Sequence, residues 1–134
     1  MSDTNILSGK RILVVDDQFV NRIIVKEMLK KYEVELTEAG DGDAAVEIVK
    51  SEDPFDIILM DVMMPTIDGF EATRRIRAIE DKDRSTVPVI AMTSDVTDED
   101  LRTAAAAGMN DHVTKPVDGD ALVEKIVFYL AGGR

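Results

Sequence analysis

The sequence of 134 residues predicts a single α/β domain in which helices cover both faces of a five-stranded parallel sheet. Short aliphatic runs alternate with amphipathic stretches along the whole chain, which is typical of repeated strand and helix units. Three of the runs are apolar throughout, as central strands buried under helices must be. We therefore expect a doubly wound (βα)5 fold. One domain is expected over residues 1–134, with its core over about residues 10–131.

Five segments are predicted to be strands. They are residues 12–15, 34–37, 57–60, 87–92 and 112–114. Apolar and polar residues alternate in the segment 34–37, so we place this strand at an edge of the sheet.

Four of the intervening stretches carry an apolar face that is predicted to cover the sheet. The faces comprise Val20, Ile23, Ile24 and Met28, then Ala45, Ile48 and Val49, then Ala72, Ile76 and Ile79, and finally Leu122, Ile126, Tyr129 and Leu130. Asp68 is expected to cap the third helix, and Gly69 to relieve a turn. Arg74, Arg75 and Arg77 are expected to form solvated surface.

The fourth helix is predicted to begin at Thr97, with Asp100 three residues on, and to end near Gly108. It holds few large apolar residues, so Ala104 and Ala105 are expected to dock it loosely and the helix is a candidate for movement. We expect the first ten residues and the last three to be frayed ends.

Composition excludes several classes of protein. The net charge of −11, with no basic stripe, argues against direct binding to nucleic acid or to a membrane surface, and favours cationic partners such as metal ions. The chain has no cysteine, which excludes disulfides and thiolate zinc sites and fits a reducing cytosol. Apolar runs reach about six residues where roughly 18 are needed to span a bilayer. We expect a cytoplasmic protein without a signal peptide.

Polar side chains follow four of the predicted strands. They are Asp16 and Asp17 after the first, Asp61 after the third, Thr93 and Ser94 after the fourth, and Lys115 and Pro116 after the fifth. Such folds bind ligands beyond the carboxyl ends of their strands. Three carboxylates held together need a cation, and a ligand set of oxygens alone selects a hard ion, for which Mg²⁺ is the first choice.

Several motifs in order resemble those of the receiver domain of two-component response regulators. They are Val14-Val15-Asp16-Asp17, Met60-Asp61-Val62-Met63-Met64-Pro65 with Asp68-Gly69, Ala91-Met92-Thr93, Gly108-Met109-Asn110-Asp111-His112 and Lys115-Pro116. The resemblance covers nearly the whole chain. It implies a CheY-like, flavodoxin-like sheet with the strand order 2-1-3-4-5.

The resemblance also implies a role for each site residue. Asp61 would accept a phosphoryl group from a phosphohistidine of a sensor histidine kinase or of a histidine phosphotransfer protein. Asp17 and Asp61 would bind Mg²⁺ directly and Asp16 mainly through water, and the backbone carbonyl of Met63 would complete the protein's share of the ligands. Lys115 would pair with a phosphoryl oxygen.

Further implied features concern the response to phosphorylation. A cis peptide bond between Lys115 and Pro116 would turn the lysine into the site. Thr93 would move its hydroxyl to the phosphoryl group, and His112, which stands where the family often has Tyr or Phe, would follow it. Met63 and Asp95 would border the path of the water that removes the phosphoryl group.

Three other functions are alternatives to this one. A phosphohydrolase of the haloacid dehalogenase type would need a second acid where Met63 stands, and a flavin binder would meet repulsion from Asp16 and Asp17 at its phosphate. A receiver that signals without phosphate is a third possibility. The sequence predicts a switch rather than an enzyme, acting through a downstream protein that it does not identify. It is either a stand-alone regulator or the receiver of a hybrid histidine kinase.

Overall fold

The computed structural model describes residues 3–94 and 96–133. Within them, five parallel strands form one sheet in the order β2-β1-β3-β4-β5. The strands are β1 (Arg11–Val15), β2 (Glu35–Ala39), β3 (Ile57–Asp61), β4 (Val89–Thr93) and β5 (Asp111–Thr114). The predicted α/β class is confirmed, as is the strand order that the resemblance implies.

Five helices of nine residues or more connect and follow the strands. They are α1 (Phe19–Leu29), α2 (Gly42–Ser51), α3 (Gly69–Arg77), α4 (Asp98–Ala107) and α5 (Gly119–Leu130), with shorter helical segments at Asp3–Leu7, Lys30–Tyr32 and Lys82–Ser85. None of the helices in the described parts of the chain has the length and apolar character needed to cross a bilayer.

Successive residues of the central strands point to opposite faces of the sheet and pack in two hydrophobic cores, one on each face. Leu13 and Val15 of β1 point toward α2, α3 and the end of α4. Ile12 and Val14 of the same strand point toward α1 and α5. All four side chains are fully buried. The two layers of helices make the sheet a fixed base for the residues that follow its strands.

All five strands lie where they are predicted, three of them with one end shifted by a single residue, and two, β2 and β4, with larger differences. β2 runs over Glu35–Ala39 because it pairs with the full length of β1, from Arg11 opposite Glu35 to Val15 opposite Ala39. β4 begins at Val89, after Pro88, which has no N–H for the ladder. The placement of β2 at an edge is confirmed.

The predicted buried face of α1 is wrong for three of its four residues, and the fourth, Met28, is partly buried against the core. The helix buries Val25 and Leu29, whereas Val20, Ile23 and Ile24 are exposed, Val20 to 64%. Apolar residues surround much of this helix, so their period does not decide which face meets the sheet. The helix therefore presents an apolar surface to solvent.

Two other expectations need correction. Among the described residues, Asp3–Leu7 form a 3₁₀ turn rather than a frayed end, and Leu7 is fully buried in the core shared with α1 and α5. In α4, Ala104 is partly buried as expected but Ala105 is exposed, and Ala107 makes the buried contact. The Thr97 cap is confirmed, since its hydroxyl accepts the Asp100 N–H at 3.0 Å.

Candidate functional site

The residues predicted at the strand ends meet at one edge of the sheet. Asp16 and Asp17 follow β1 directly, Asp61 ends β3, and Thr93 ends β4. Lys115 follows β5, and its main-chain N–H donates to the Thr93 carbonyl at 2.9 Å. Because parallel strands all end at the same edge, residues far apart in sequence come together here.

Three carboxylates form the centre of this edge. Oxygens of Asp16, Asp17 and Asp61, here called the acidic group, lie within 4.8 Å of one another. Asp16 is 1% exposed and Asp61 3%, while Asp17 is more exposed. Like charges at this distance repel, so the group favours a cation. Its ligand atoms are all oxygens, which suit a hard divalent ion such as Mg²⁺.

Lys115 lies against the acidic group. Its ammonium donates to Asp61 Oδ1 at 2.9 Å and to Asp16 Oδ2 at 3.1 Å. Burial acts to lower the pKa of Lys115, but the hydrogen bonds to Asp61 and Asp16 outweigh it and raise the pKa above its ordinary value. The Lys115–Pro116 peptide bond is cis, the isomer that the resemblance implies. Lys115 therefore supplies a permanent positive charge beside the carboxylates.

The Asp61 carboxyl is the group most perturbed by this environment. Burial raises the pKa of Asp61 from its ordinary 3.8 to about 6, the hydrogen bond from Lys115 opposes the shift, and the charge of Asp16 adds to it. At pH 7 the carboxylate form still predominates. A buried carboxylate of this kind is both a metal ligand and a possible nucleophile.

Two residues position the site in ways that the sequence did not indicate. Arg22 donates to the main-chain carbonyl of Asp16 at 2.6 Å. Gly69 at the start of α3 leaves room for strand β3, because a Cβ at this position would lie 2.3 Å from the Asp61 carbonyl oxygen. Asp68 caps α3 as expected, but Gly69 serves close packing rather than a turn. Both roles depend on contacts that form only when the elements pack together in the folded chain.

On the other side of Asp61, Thr93 and His112 line one cavity of about 90 Å³ between α3 and α4. Phe70, Leu101 and Ala104 supply its apolar wall. The His112 side chain is one-third exposed. Met63, at the mouth of the site, is 73% exposed. Asp95 lies outside the described residues.

The sequence profile of the response regulator receiver domain matches residues 12–127. Among curated proteins, "Probable histidine kinase 5" of Oryza sativa subsp. japonica is 36% identical over 144 aligned positions, covering 94% of this chain and 12% of that protein. "Histidine kinase 3" of Arabidopsis thaliana is 34% identical over 140 positions, covering 91% of this chain and 14% of that protein. The chain thus corresponds to a small part of these relatives.

Two solved structures agree with this assignment. The receiver domain of the sensor histidine kinase PA1611 from Pseudomonas aeruginosa PAO1, with a magnesium ion in its active-site cleft, is 36% identical with a TM-score of 0.82, covering 94% of this chain and all of that one. The receiver domain of Saccharomyces cerevisiae Ssk1, crystallised with the histidine phosphotransfer protein Ypd1, is 30% identical with a TM-score of 0.85, covering 93% and 91%. The chain belongs to the response regulator receiver domain family, whose members act in two-component phosphorelay signalling.

Proposed function

We propose that this chain is a phosphorylation-dependent switch that accepts a phosphoryl group on Asp61 from a phosphohistidine donor. The observation that carries the proposal is the setting of the Asp61 carboxylate. It is 3% exposed, grouped with two further carboxylates and hydrogen-bonded to Lys115 at 2.9 Å. A carboxylate so placed combines a nucleophile, a metal site and a fixed cation at one strand end.

The acidic group fits Mg²⁺. We propose that Asp17 and Asp61 bind the ion directly, Asp16 mainly through water, and the Met63 backbone carbonyl as the remaining protein ligand. When bound, the ion neutralises negative charge on the phosphoryl oxygens. The magnesium ion in the PA1611 receiver domain supports this choice of metal.

In the proposed transfer, an oxygen of the Asp61 carboxylate attacks phosphorus. A new O–P bond forms as the N–P bond to the donor imidazole breaks, and the imidazole nitrogen leaves with the electron pair and takes up a proton. The product is an acyl phosphate on Asp61. The Lys115 ammonium, 2.9 Å from Asp61 Oδ1, is in reach of the oxygens that carry the transferred charge. The Thr93 hydroxyl at the end of β4 is proposed to bind the product phosphoryl group.

We infer that the acyl phosphate is the signalling state of the protein and not an intermediate in the turnover of a substrate. Receiver domains form a signalling family, which supports this inference. The chain would assist only its own phosphorylation and dephosphorylation. Met63, two residues past Asp61, and Asp95, two past Thr93, are proposed to border the path of the hydrolytic water.

The response to phosphorylation is proposed to pass through Thr93 and His112. Because both side chains line the same cavity, a movement of Thr93 toward the phosphoryl group changes the space next to His112 and α4. Modification adds roughly two negative charges at Asp61 and shifts an existing conformational equilibrium. A downstream protein would read the altered surface.

The phosphoryl donor is proposed to be a sensor histidine kinase or a histidine phosphotransfer protein. The exposed apolar surface of α1, formed by Phe19, Val20, Ile23 and Ile24, begins two residues after Asp17 and offers such a donor a place to dock. The Ssk1 receiver domain in its complex with Ypd1 supports this class of partner. The chain would act as a stand-alone regulator or as the receiver of a hybrid histidine kinase.

Intact-protein mass after incubation with Mg²⁺ and acetyl phosphate tests the proposal. We expect a labile gain of about 80 Da, one phosphoryl group, in the wild-type protein. Asp61→Asn and addition of EDTA should each abolish the gain. Asp68→Asn is the matched control, because it changes the nearby α3 cap to another good capping residue and should leave the gain intact.

A gain that survives in Asp61→Asn would move the acceptor to another residue. If no form gains mass, the trial is repeated with a phosphorylated histidine phosphotransfer protein as donor. Failure with that donor too would contradict the proposed phosphorylation and favour a receiver that signals without phosphate.

A further inference from the structure

Arg22 of α1 joins the loop that carries Asp16 and Asp17 to strand β2. Its Nη1 donates to the main-chain carbonyl of Asp16 at 2.6 Å, and its Nε donates to Glu38 Oε1 at 3.0 Å. The Arg22 side chain is 17% exposed and that of Glu38 32%. The guanidinium thus makes two directed hydrogen bonds in a largely water-excluded position, which strengthens both.

The carbonyl that Arg22 holds belongs to the peptide unit between Asp16 and Asp17. This unit is planar, so a bond that fixes its oxygen also fixes the direction in which the chain enters Asp17. The Asp16 carboxylate has its own restraints, since it accepts hydrogen bonds from the Gln18 N–H at 2.8 Å and from Lys115 at 3.1 Å. Asp17 is the most exposed member of the acidic group, so its placement depends more on the main chain.

We propose that Arg22 is a positioning residue for the metal ion, acting through the Asp16–Asp17 peptide. This inference rests on the proposed Mg²⁺ site. Arg22 would touch neither the ion nor the phosphoryl group. By holding the peptide, it would keep the Asp17 carboxylate aimed at the oxygens of Asp16 and Asp61 before the ion arrives, and so reduce the cost of ordering the ligands.

Only arginine can serve both acceptors in this way. The Asp16 carbonyl and the Glu38 carboxylate are reached by two different nitrogens of one planar guanidinium. A lysine ammonium keeps the charge but offers a single nitrogen on a flexible stem. Arg22→Lys is therefore a variant that separates charge from geometry.

Lys26 provides the matched control. It lies one turn further along α1 and pairs with the same glutamate, its Nζ being 3.9 Å from Glu38 Oε2. Its side chain is 58% exposed, against 17% for Arg22. Lys26→Met removes the same unit of charge from the same helix while the hydrogen bond from Arg22 to the Asp16 carbonyl remains.

Calorimetric titration with Mg²⁺ alone, without any phosphoryl donor, tests the inference. We expect Arg22→Met to weaken Mg²⁺ binding about tenfold, the loss typical of a residue that orients metal ligands. Arg22→Lys should weaken it by several-fold, and Lys26→Met by less than about twofold. Thermal unfolding of each variant shows whether the protein used in each titration is folded. If Arg22→Met does not fold, Arg22→Lys still tests the positioning role.

Equal weakening by Arg22→Met and Lys26→Met would show that only charge matters and would overturn the positioning role. Wild-type affinity in both Arg22 variants would also overturn it. A wild-type protein that shows no Mg²⁺ binding would overturn the proposed metal site itself, and the positioning role with it.

Discussion

The two sides of the Asp61 carboxylate differ in how firmly they are built. On the α1 side, the carboxylate and the carbonyl of Asp16 accept hydrogen bonds from Gln18, Lys115 and Arg22. On the α4 side, the helix contributes one buried residue, Ala107, and its other side chains are exposed or partly exposed. The α1 side, here called the fixed side, is thus held by directed hydrogen bonds, whereas the α4 side, here called the responsive side after its proposed role, is loosely packed.

The loosely packed region is itself asymmetric. The C-terminal end of α4 is anchored, because the Arg77 guanidinium donates to the Gly108 carbonyl at 2.7 Å and also to the carbonyls of Ser85 and Val87. The other end, from Asp98 to Leu101, lies at the surface beside the cavity that Thr93 lines. Loose packing of this kind lowers the free energy of local opening.

The largest expected effect is at the fixed side. Lys115→Met should slow phosphorylation by acetyl phosphate by about 100- to 1000-fold, because it removes the cation next to the transferred charge. Lys125→Met is the control on the responsive side, since Lys125 pairs with Asp111 at 2.9 Å and does not reach the acidic group. The Lys125→Met variant should be phosphorylated at a rate within about twofold of the wild-type rate. Comparable rates for the two variants, measured from the initial gain in mass, would contradict the assignment of Lys115.

A pH effect on stability should follow from Asp61. Its pKa is raised from 3.8 to about 6, so the folded protein holds a proton that the unfolded chain releases in this range. The contribution of Asp61 to the free energy of unfolding therefore falls as pH rises from about 4 to about 6, by an amount of order 3 kcal/mol. In urea denaturation with EDTA present, the free energy of unfolding of Asp61→Asn should therefore rise relative to that of the wild-type protein as the pH rises across this range. Parallel curves for the two proteins would contradict the raised pKa.

A smaller effect on stability is expected from the contact of α3 with strand β3. Gly69→Ala should destabilise the fold by about 1 to 3 kcal/mol, because the added Cβ would lie 2.3 Å from the Asp61 carbonyl oxygen. Gly119→Ala at the start of α5 is the control. Its Cβ would meet only the flexible Met28 side chain at 3.5 Å, and alanine favours the helix. Equal urea midpoints for the two variants would show that Gly69 has no special packing role.

The smallest effect is expected on the responsive side. Leu101→Ala should change the free energy of unfolding by less than about 0.5 kcal/mol, since the side chain is exposed on α4. Ile76→Ala on α3, which removes a fully buried side chain, should cost about 2 to 5 kcal/mol in the same urea experiment. If Leu101→Ala lowered the free energy of unfolding nearly as much as Ile76→Ala, α4 would be firmly packed, and the two sides of Asp61 would not differ.

Much of this arrangement could be predicted from the sequence because it depends on local pattern. Apolar runs predicted the strands. Because parallel strands all end at the same edge of a sheet, the polar residues after them, such as Asp61 and Lys115, could be predicted to lie together. The buried face of α1 could not be predicted, because apolar residues surround much of that helix. Only packing shows that Val25 and Leu29, and not Val20, face the sheet.

The sequence also could not predict the roles of residues whose contacts form only in the folded chain. Arg22 and Gly69 carry no local signal of their roles, which depend on the positions of Asp16 and Asp61 in the folded chain. Arg77 was expected to be solvated surface with its neighbours, yet burial lowers its pKa and its guanidinium is bonded to main-chain carbonyls. Arg74 and Arg75 do pair with Glu71 at the surface.

Amide hydrogen exchange before and after phosphorylation with Mg²⁺ and acetyl phosphate tests the division between fixed and responsive sides most directly. We expect changes in protection to concentrate in residues 96–112, while β1, β3 and the Asp16–Asp17 loop change little. Changes of equal size in β1 and β3, or no change along α4, would contradict this division.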